Sequence, residues 1–221
     1  MVIDSEDTDL YVQAAYVAHN SRGTLFIKNK NNFINCEQLV SNDIADVLIQ
    51  FHVITGSDHT AGFYGRRKKS LFEKLKKDPN ARSLLQKVGD SLELTDDTRN
   101  DMRKFVLLKI YGEKAHTCRE ARAEKWRKMK KKSLSRLPPD EDTLRQHFDR
   151  TNYLSYCQKH FHLEHHPSPI HRGWGNVNGK CRPIRSTVPA FDYVFEPIQS
   201  DESDDEEVEY GEDSDGDRDS D

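Results

Sequence analysis

Two aspartates near the amino terminus, Asp7 and Asp9, stand where a short β-prone segment meets an acidic helix start. Ligand sites in α/β proteins collect beyond the carboxyl ends of strands, so both carboxylates are expected to project into that space. Magnesium prefers hard carboxylate oxygens, and two ions about 4 Å apart can clamp an in-line attack on a phosphodiester. Because acidic first turns also serve as ordinary helix caps, the pair alone leaves metal binding and capping open.

A third aspartate, Asp58, follows an apolar segment and precedes four consecutive cations, Arg66 to Lys69, in the stretch ITGSDHTAGFYGRRKKSLFEKL. This order predicts a metal ligand on one side of a glycine-bounded turn and a surface for a polyanion on the other. The neighbouring His59 could orient Asp58 or contact phosphate, although an ordinary turn residue is the simpler interpretation.

A histidine- and cysteine-rich segment is the other candidate for metal chemistry. Its members are Cys157, His160, His162, His165, His166, His171 and Cys181. Side chains of these types suit zinc, yet their separations match no standard Cys/His zinc spacing. The pattern therefore favours a solvated polar helix end and an irregular arm over a zinc site.

Charge is distributed unevenly along the 221 residues. Residues 201–221 carry 13 of the 38 acidic residues and one of the 34 basic residues, so the net charge is −12 there and +8 over residues 1–200. The basic body favours a polyanionic partner, namely a nucleic-acid backbone bound without sequence preference. The acidic tail has too little apolar surface to offset its ordering entropy, so we expect it to be disordered. It would act as a solubilising tail or as an intramolecular competitor for the basic face.

Composition and cysteine usage point to an intracellular protein. The four cysteines form neither a CxxC pair nor a disulfide framework, and the sequence shows no signal peptide and no apolar run of about 18 residues. We therefore expect reduced thiols and no membrane contact. The run KWRKMKKK, from Lys125 to Lys132, is typical either of a nuclear-localisation patch or of a solvated helix face, and it is the basis for expecting a nuclear location.

Local patterns predict the elements that position these residues. A strand at MVID leads into a helix that opens at SEDTDL, and Thr24–Ile27 and Asn32–Ile34 are predicted to form a hairpin. A helix then follows Asn35 and ends just before Gly56. Its inward face is predicted to be Ile44, Val47, Leu48, Phe51 and Ile54.

Four further helices are predicted downstream. They cover Ser70–Lys77, a segment capped by Thr95 and ended by Gly112, Thr117–Lys132, and a last segment with prolines in its first turn. The second of these should bury Met102, Phe105, Val106 and Ile110. The last should bury Leu144, Phe148, Thr151, Leu154 and Phe161, and the Pro, Gly and Asn content beyond Pro167 predicts an irregular arm.

SEDTDL at Ser5–Leu10, followed some fifty residues later by the Ile54–Leu75 stretch, resembles the internal nuclease half of the flap endonucleases in the PIN-like superfamily. In that family, an E-D-x-D segment and a later G-x-D supply metal-binding aspartates, and a helix-hairpin-helix with a Gly-Ile-Gly-like turn grips the DNA backbone. The resemblance implies that Asp7, Asp9 and Asp58 are Mg²⁺ ligands. Together with the cationic pattern, it implies phosphate contacts from Gly65, Arg66, Arg67, Lys68, Lys69, Lys74, Lys76 and Lys77.

Two departures from the family pattern limit what the resemblance implies. Arg67 stands where the family's turn has its second glycine, which hinders a close approach of backbone to phosphate. The family's further carboxylates precede the E-D-x-D segment, and here that segment stands at the start of the chain. Two-metal hydrolysis is therefore expected only if a second chain completes the site. Downstream, KFVLLKIYG, RLPPDEDTLRQHFDRTNY and PSPIHRGWGNVNGKC resemble the tail of a widespread animal protein group whose members often derive from mobile elements.

The expected architecture is α/β, with an incomplete PIN-like domain at the amino-terminal end of the chain. This domain is expected to contain a helix-hairpin-helix-like segment. The expected divisions are residues 1–90 for this domain, 91–166 for a helical extension, 167–200 for the irregular arm and 201–221 for the acidic tail. The expected function is that of a truncated flap-endonuclease-like protein of metal-dependent phosphodiesterase ancestry, inactive alone. The alternative is a noncatalytic module that binds nucleic acid or protein through its basic surface.

Overall fold

The computed structural model describes residues 1–131 and 133–187, which contain a three-stranded sheet, a two-stranded sheet, seven α-helices and a π-helix. All the described residues belong to one compact unit. The expected α/β class is confirmed. The predicted irregular segment from residue 188 onward and the acidic tail at 201–221 lie outside the described residues.

The sheet positions the amino-terminal aspartates. Strands β1 (Val2–Asp4) and β2 (Phe26–Asn29) are parallel, and helix α1 (Thr8–Asn20) connects them. Strand β3 (Asn32–Asn35) pairs antiparallel with β2, which confirms the predicted hairpin. Because α1 begins directly after β1, its first turn lies at the carboxyl end of that strand.

Helix α2 (Asn42–Ile54) is the central element of the core. The five residues predicted on its inward face are all buried, and so are Ile49 and Val53. One face packs with Val12 and Ala15 of α1, and another joins the core of the later helices. A helix that is apolar on most of its circumference is typical of an element covered on several sides.

Of the five remaining helices, four follow the predicted order with altered ends, and the short helix at Pro79–Ser83 was not predicted. The five are α3 (Lys68–Lys77), α4 (Pro79–Ser83), α5 (Asp96–Lys104), α6 (Cys118–Lys128) and α7 (Glu141–Lys159). Thr95 caps α5 as predicted, but the chain continues from α5 into a π-helix at Phe105–Ile110. The inward residues predicted for this whole segment are buried: Met102, Phe105, Val106 and Ile110.

Four expectations for α7 and the segment after it are wrong. The prolines expected in its first turn precede the helix, which begins at Glu141, and Leu154 is only half-buried. Phe161 is 46% exposed because α7 ends at Lys159 and the chain turns away from the core. The arm expected to be irregular contains a hairpin of strands β4 (Trp174–Val177) and β5 (Lys180–Pro183). The Arg150 guanidinium of α7 donates to the Gly173 and Ile184 carbonyls and so fastens the hairpin to the helix.

Close packing explains the glycine before this hairpin. Gly173 has a φ of 83°, and a Cβ there would lie 2.6 Å from the Gln146 carbonyl oxygen of α7. Trp174 packs edge-on against the Tyr153 ring, with centroids 5.3 Å apart. No helix among residues 1–131 and 133–187 has the length and apolar character needed to cross a membrane.

Candidate functional site

An acidic corner forms where the first turn of α1 meets the carboxyl end of α2. We use this name for Asp7, Asp9, His52, Asp58 and Lys68. The Asp7 carboxylate caps α1 by accepting from the Asp9 backbone N–H at 2.9 Å. The Asp9 Oδ1 atom lies 2.6 Å from Nε2 of His52, whose side chain is only 7% exposed. Asp7 therefore acts as a helix cap, and Asp9 is held against α2.

Lys68 turns inward from the start of α3 and joins this corner. Its ammonium donates to His52 Nδ1 at 2.8 Å, to the His52 carbonyl at 3.0 Å and to the Gly56 carbonyl at 2.6 Å. An ammonium has no acceptor, so Nδ1 must accept and the His52 proton must be on Nε2, where it is donated to Asp9. The result is a continuous chain of hydrogen bonds from α3 through α2 to α1.

Burial and the neighbouring charges of the acidic corner shift the pKa values of His52 and Lys68. Burial, followed by the charge of Lys68, lowers the pKa of His52, while Asp9 and Asp58 act in the opposite direction. Burial also lowers the pKa of Lys68 to about 8, against the attraction of Asp9. At pH 7 the histidine is thus neutral and the lysine largely protonated.

The loop between α2 and α3 presents Asp58 to solvent. Gly56 has a φ of 116°, and a Cβ there would lie 2.9 Å from the Gly62 backbone, so the two arms of the loop pass in close contact. The Thr60 hydroxyl donates to the Val53 carbonyl, and Ser57 bridges to Thr60. Asp58 and His59 are exposed at the tip. The described loop between α2 and α3 contains no helix.

The donor geometry can be compared with the Mg²⁺ site that the resemblance implies. Within residues 1–131 and 133–187, no three or more His, Cys, Asp or Glu side chains are grouped so that they could hold a metal ion. One Asp7 oxygen accepts from the backbone and one Asp9 oxygen from His52. The described residues thus show no preformed site of three such side chains, and Mg²⁺ binding by Asp7, Asp9 and Asp58 stays a prediction.

The predicted phosphate-contacting residues separate into three groups in the structure. Lys68 contacts α2, and Lys76 pairs with Glu73 at 2.8 Å. Arg66 lies over the Tyr111 ring, 4.9 Å from its centroid. Gly65 and the remaining cations of the set are exposed: Arg67, Lys69, Lys74 and Lys77. Lys68 is therefore engaged inside the protein, while these exposed cations are accessible.

A basic groove joins the turn before α3 to α6 and the residues after it. Its volume is about 560 Å³, and it is lined by Tyr64, Gly65, Arg66, Lys125, Met129 and Arg136. Two cationic regions that are about sixty residues apart in the sequence thus meet in one depression. The sequence pattern pointed to Arg66 and Lys125 separately and missed Arg136, which lies four residues beyond the cationic run at Lys125–Lys132.

A buried carboxylate positions the α6 side of the groove. Glu113 is 3% exposed and pairs with Lys125 at 3.4 Å and with Lys128 at 2.7 Å. These two lysines are partly neutralised, and the pairing holds Lys125 in place beneath the groove. Arg66 has no carboxylate partner among the described residues, so its charge is less neutralised than the charges of Lys125 and Lys128.

We compared the sequence with models of protein families and with curated proteins, and the structure with solved structures, and none of the three comparisons gave a match.

Proposed function

We propose that this chain is a divergent flap-endonuclease-like protein with an incomplete PIN-like domain that binds the phosphate backbone of nucleic acid and does not hydrolyse it alone. The observation that carries the proposal is the basic groove, where Arg66, Lys125 and Arg136 meet. A concave surface lined by one sign of charge attracts polyanions and concentrates them locally. Neutralising phosphates also releases condensed counterions, which favours binding without base contacts.

The first turn of α3 supports the same role. Arg67 occupies the N-cap position and provides no side-chain cap, so the backbone N–H groups that follow have no capping partner from it. Helix amino termini attract anions because their N–H groups and dipole present partial positive charge. A phosphate beside Gly65 would meet these N–H groups together with the exposed Lys69.

The acidic corner favours a noncatalytic role for the isolated chain. Asp7, Asp9 and Asp58 would hold at most one Mg²⁺ ion weakly, and Lys68 competes for the negative charge of Asp9. A single ion there would polarise a phosphoryl oxygen, whereas the family's two-metal chemistry needs further carboxylates. A second chain supplying them would be the partner that restores hydrolysis. A nuclear location is proposed from the cationic run at Lys125–Lys132 alone.

Protein interaction is the second candidate, and a different groove favours it. A depression of about 460 Å³ between α3 and the π-helix has an apolar floor that includes Leu71, Leu75 and Phe105. Leu108 is 39% exposed beside it, and Lys74 and Lys77 stand at its rim. An acidic protein segment with apolar side chains would fit this surface better than a nucleic-acid backbone would.

Fluorescence anisotropy of labelled oligonucleotides at several salt concentrations tests the primary proposal. We expect a dissociation constant of about 10⁻⁴–10⁻⁶ M at physiological salt for the full chain, falling steeply as salt is reduced. The double variant Arg66→Gln/Arg136→Gln should weaken binding. It should also make the log–log salt slope on duplex DNA shallower by about 0.9 for each phosphate that the variant no longer neutralises.

The matched control is Lys87→Gln, which removes one exposed cation outside the groove and should change binding little. Melting temperatures of all variants show whether each remains folded. If the full chain fails to bind any oligonucleotide at low salt, the nucleic-acid proposal is wrong. Protein interaction through the α3 and π-helix groove then becomes the better explanation.

A further inference from the structure

Tyr64 is the least expected residue in the basic groove. Its side chain is 66% exposed, although large aromatic side chains dominate cores when they serve packing alone. The described structure shows no ring contact or hydrogen bond from the Tyr64 side chain. The fold therefore gives no packing reason for an aromatic residue at this position.

The backbone around Tyr64 holds it in a fixed place. The Arg66 N–H donates to the Phe63 carbonyl at 3.0 Å, which closes a tight turn with Tyr64 at its tip. Phe63 is only 8% exposed and packs between the rings of Tyr111 and His147, with centroid distances of 5.9 and 5.4 Å. The turn is thus anchored in the core by Phe63, and the neighbouring Tyr64 stands outside it.

Space next to the ring is open. Gly65 has a φ of 69°, which glycine adopts without strain, and a Cβ at this position would meet nothing within 4 Å. Arg66 and Arg136 line the same depression as the tyrosine. An exposed aromatic face next to cations is the combination that proteins use to bind single-stranded nucleic acid, since bases stack on the ring while cations hold the backbone.

We propose that Tyr64 is a base-stacking platform and that the basic groove selects single-stranded over double-stranded nucleic acid. The inference rests on the proposed nucleic-acid binding and adds the form of the ligand. Bases inside a duplex are stacked on one another and cannot present a face to Tyr64, whereas those of a single strand can. Duplex DNA would meet the cations of the groove and gain nothing from the ring.

The test measures binding of the full chain to thymidine and uridine homopolymers and to a duplex of the same length. Tyr64→Ala should lower single-strand affinity by about 5- to 150-fold, the range that corresponds to losing one base–aromatic stack. Tyr64→Phe keeps the ring and should bind like the wild type. Duplex affinity should be unchanged in both variants, and so should the melting temperature, because the side chain is exposed.

The cation variant Arg66→Gln/Arg136→Gln separates the two proposals. It should weaken single-strand and duplex binding together. If Tyr64→Ala binds single strands as tightly as the wild type while the cation variant binds weakly, the stacking role is wrong and backbone binding stands. If the wild type binds neither form at low salt, both proposals fail.

Discussion

Lys68 and Lys69 are adjacent in the first turn of α3, yet the structure assigns them opposite roles. The Lys68 ammonium donates to three acceptors on α2 and the loop that follows it, whereas Lys69 is exposed. Lys68→Met keeps the aliphatic stem and removes the charge and the donors. It should destabilise the protein and leave nucleic-acid binding intact. Lys69→Met should leave the stability nearly unchanged and weaken nucleic-acid binding.

The size of the stability loss follows from the three hydrogen bonds. A hydrogen bond to a charged group contributes about 1.5–3 kcal/mol, and a buried acceptor left without a donor costs about 1–3 kcal/mol. Lys68 is half-exposed, so water can hydrate part of the acceptors that the variant leaves without a donor. The variant also removes the cost of burying an ammonium, which is the cost that lowers the pKa of Lys68 to about 8. We therefore expect a net loss of about 2–4 kcal/mol, or a melting temperature lower by roughly 5–15 °C.

The assays are thermal or urea unfolding, oligonucleotide anisotropy and NMR titration of His52. Removing the Lys68 charge should raise the pKa of His52, because that charge now opposes protonation of the ring. Lys69→Met should change stability by less than about 0.5 kcal/mol, as usual for exposed side chains, and make the salt slope of duplex binding shallower by up to about 0.9. Equal stability of the two variants, with a stronger loss of binding in Lys68→Met, would refute the inward role of Lys68.

Three further predictions concern catalysis, the acidic tail and acid stability. The isolated protein should show no appreciable Mg²⁺- or Mn²⁺-dependent cleavage of flapped or single-stranded DNA, and robust cleavage abolished by Asp58→Ala would establish an enzyme instead. Removing residues 201–221 takes away a net charge of −12 and should tighten nucleic-acid binding most at low salt, where screening is weakest. Unchanged affinity at low salt would exclude competition by the tail. Burial lowers the pKa of His147 from 6.5 to about 4, so between these values the unfolded chain binds a proton that the folded chain does not. Stability should fall by up to about 3 kcal/mol as the pH drops from about 6.5 to 4, and less in His147→Gln, in urea unfolding at a series of pH values; parallel curves for the two proteins would contradict this assignment.

Elements set by local chemistry could be predicted from the sequence. The inward face of α2 follows from helical spacing, and Asp7 and Thr95 cap helices where short oxygen-bearing side chains precede apolar patterns. The sequence also contains a signal for the β4–β5 hairpin. Asn178 and Gly179 both have positive φ, 53° and 76°, as a type I′ turn requires, and Asn-Gly is a strong hairpin signal. The glycine and proline content around this Asn-Gly pair instead favoured the prediction of an irregular arm.

Features that depend on tertiary packing could not be predicted. A run of four cations indicates an exposed surface, and nothing local distinguishes Lys68 from its neighbours. Its inward position follows from the distance between the start of α3 and the end of α2, which the loop with the Gly56–Gly62 contact determines. The basic groove likewise depends on how α6 packs beside the turn at Tyr64. The π-helix at Phe105–Ile110 occurs in a sequence that reads as an ordinary helix.

The loop from Thr55 to Arg67 carries Asp58 and ends at the basic groove, so under the proposed function its charges would constrain the orientation of a bound nucleic acid. An anionic backbone is attracted to Arg66 and Arg136 but repelled by Asp58, which is exposed on the same loop. Lys68 and His52 hold Asp9 within the protein and supply one internal positive charge, so the repulsion from the acidic corner is reduced without a bound metal ion. The remaining negative charge at Asp58 favours an orientation in which phosphates occupy the groove and stay away from the corner. The proposed binding of the backbone and the predicted lack of cleavage by the isolated chain are therefore both compatible with this one arrangement of charges.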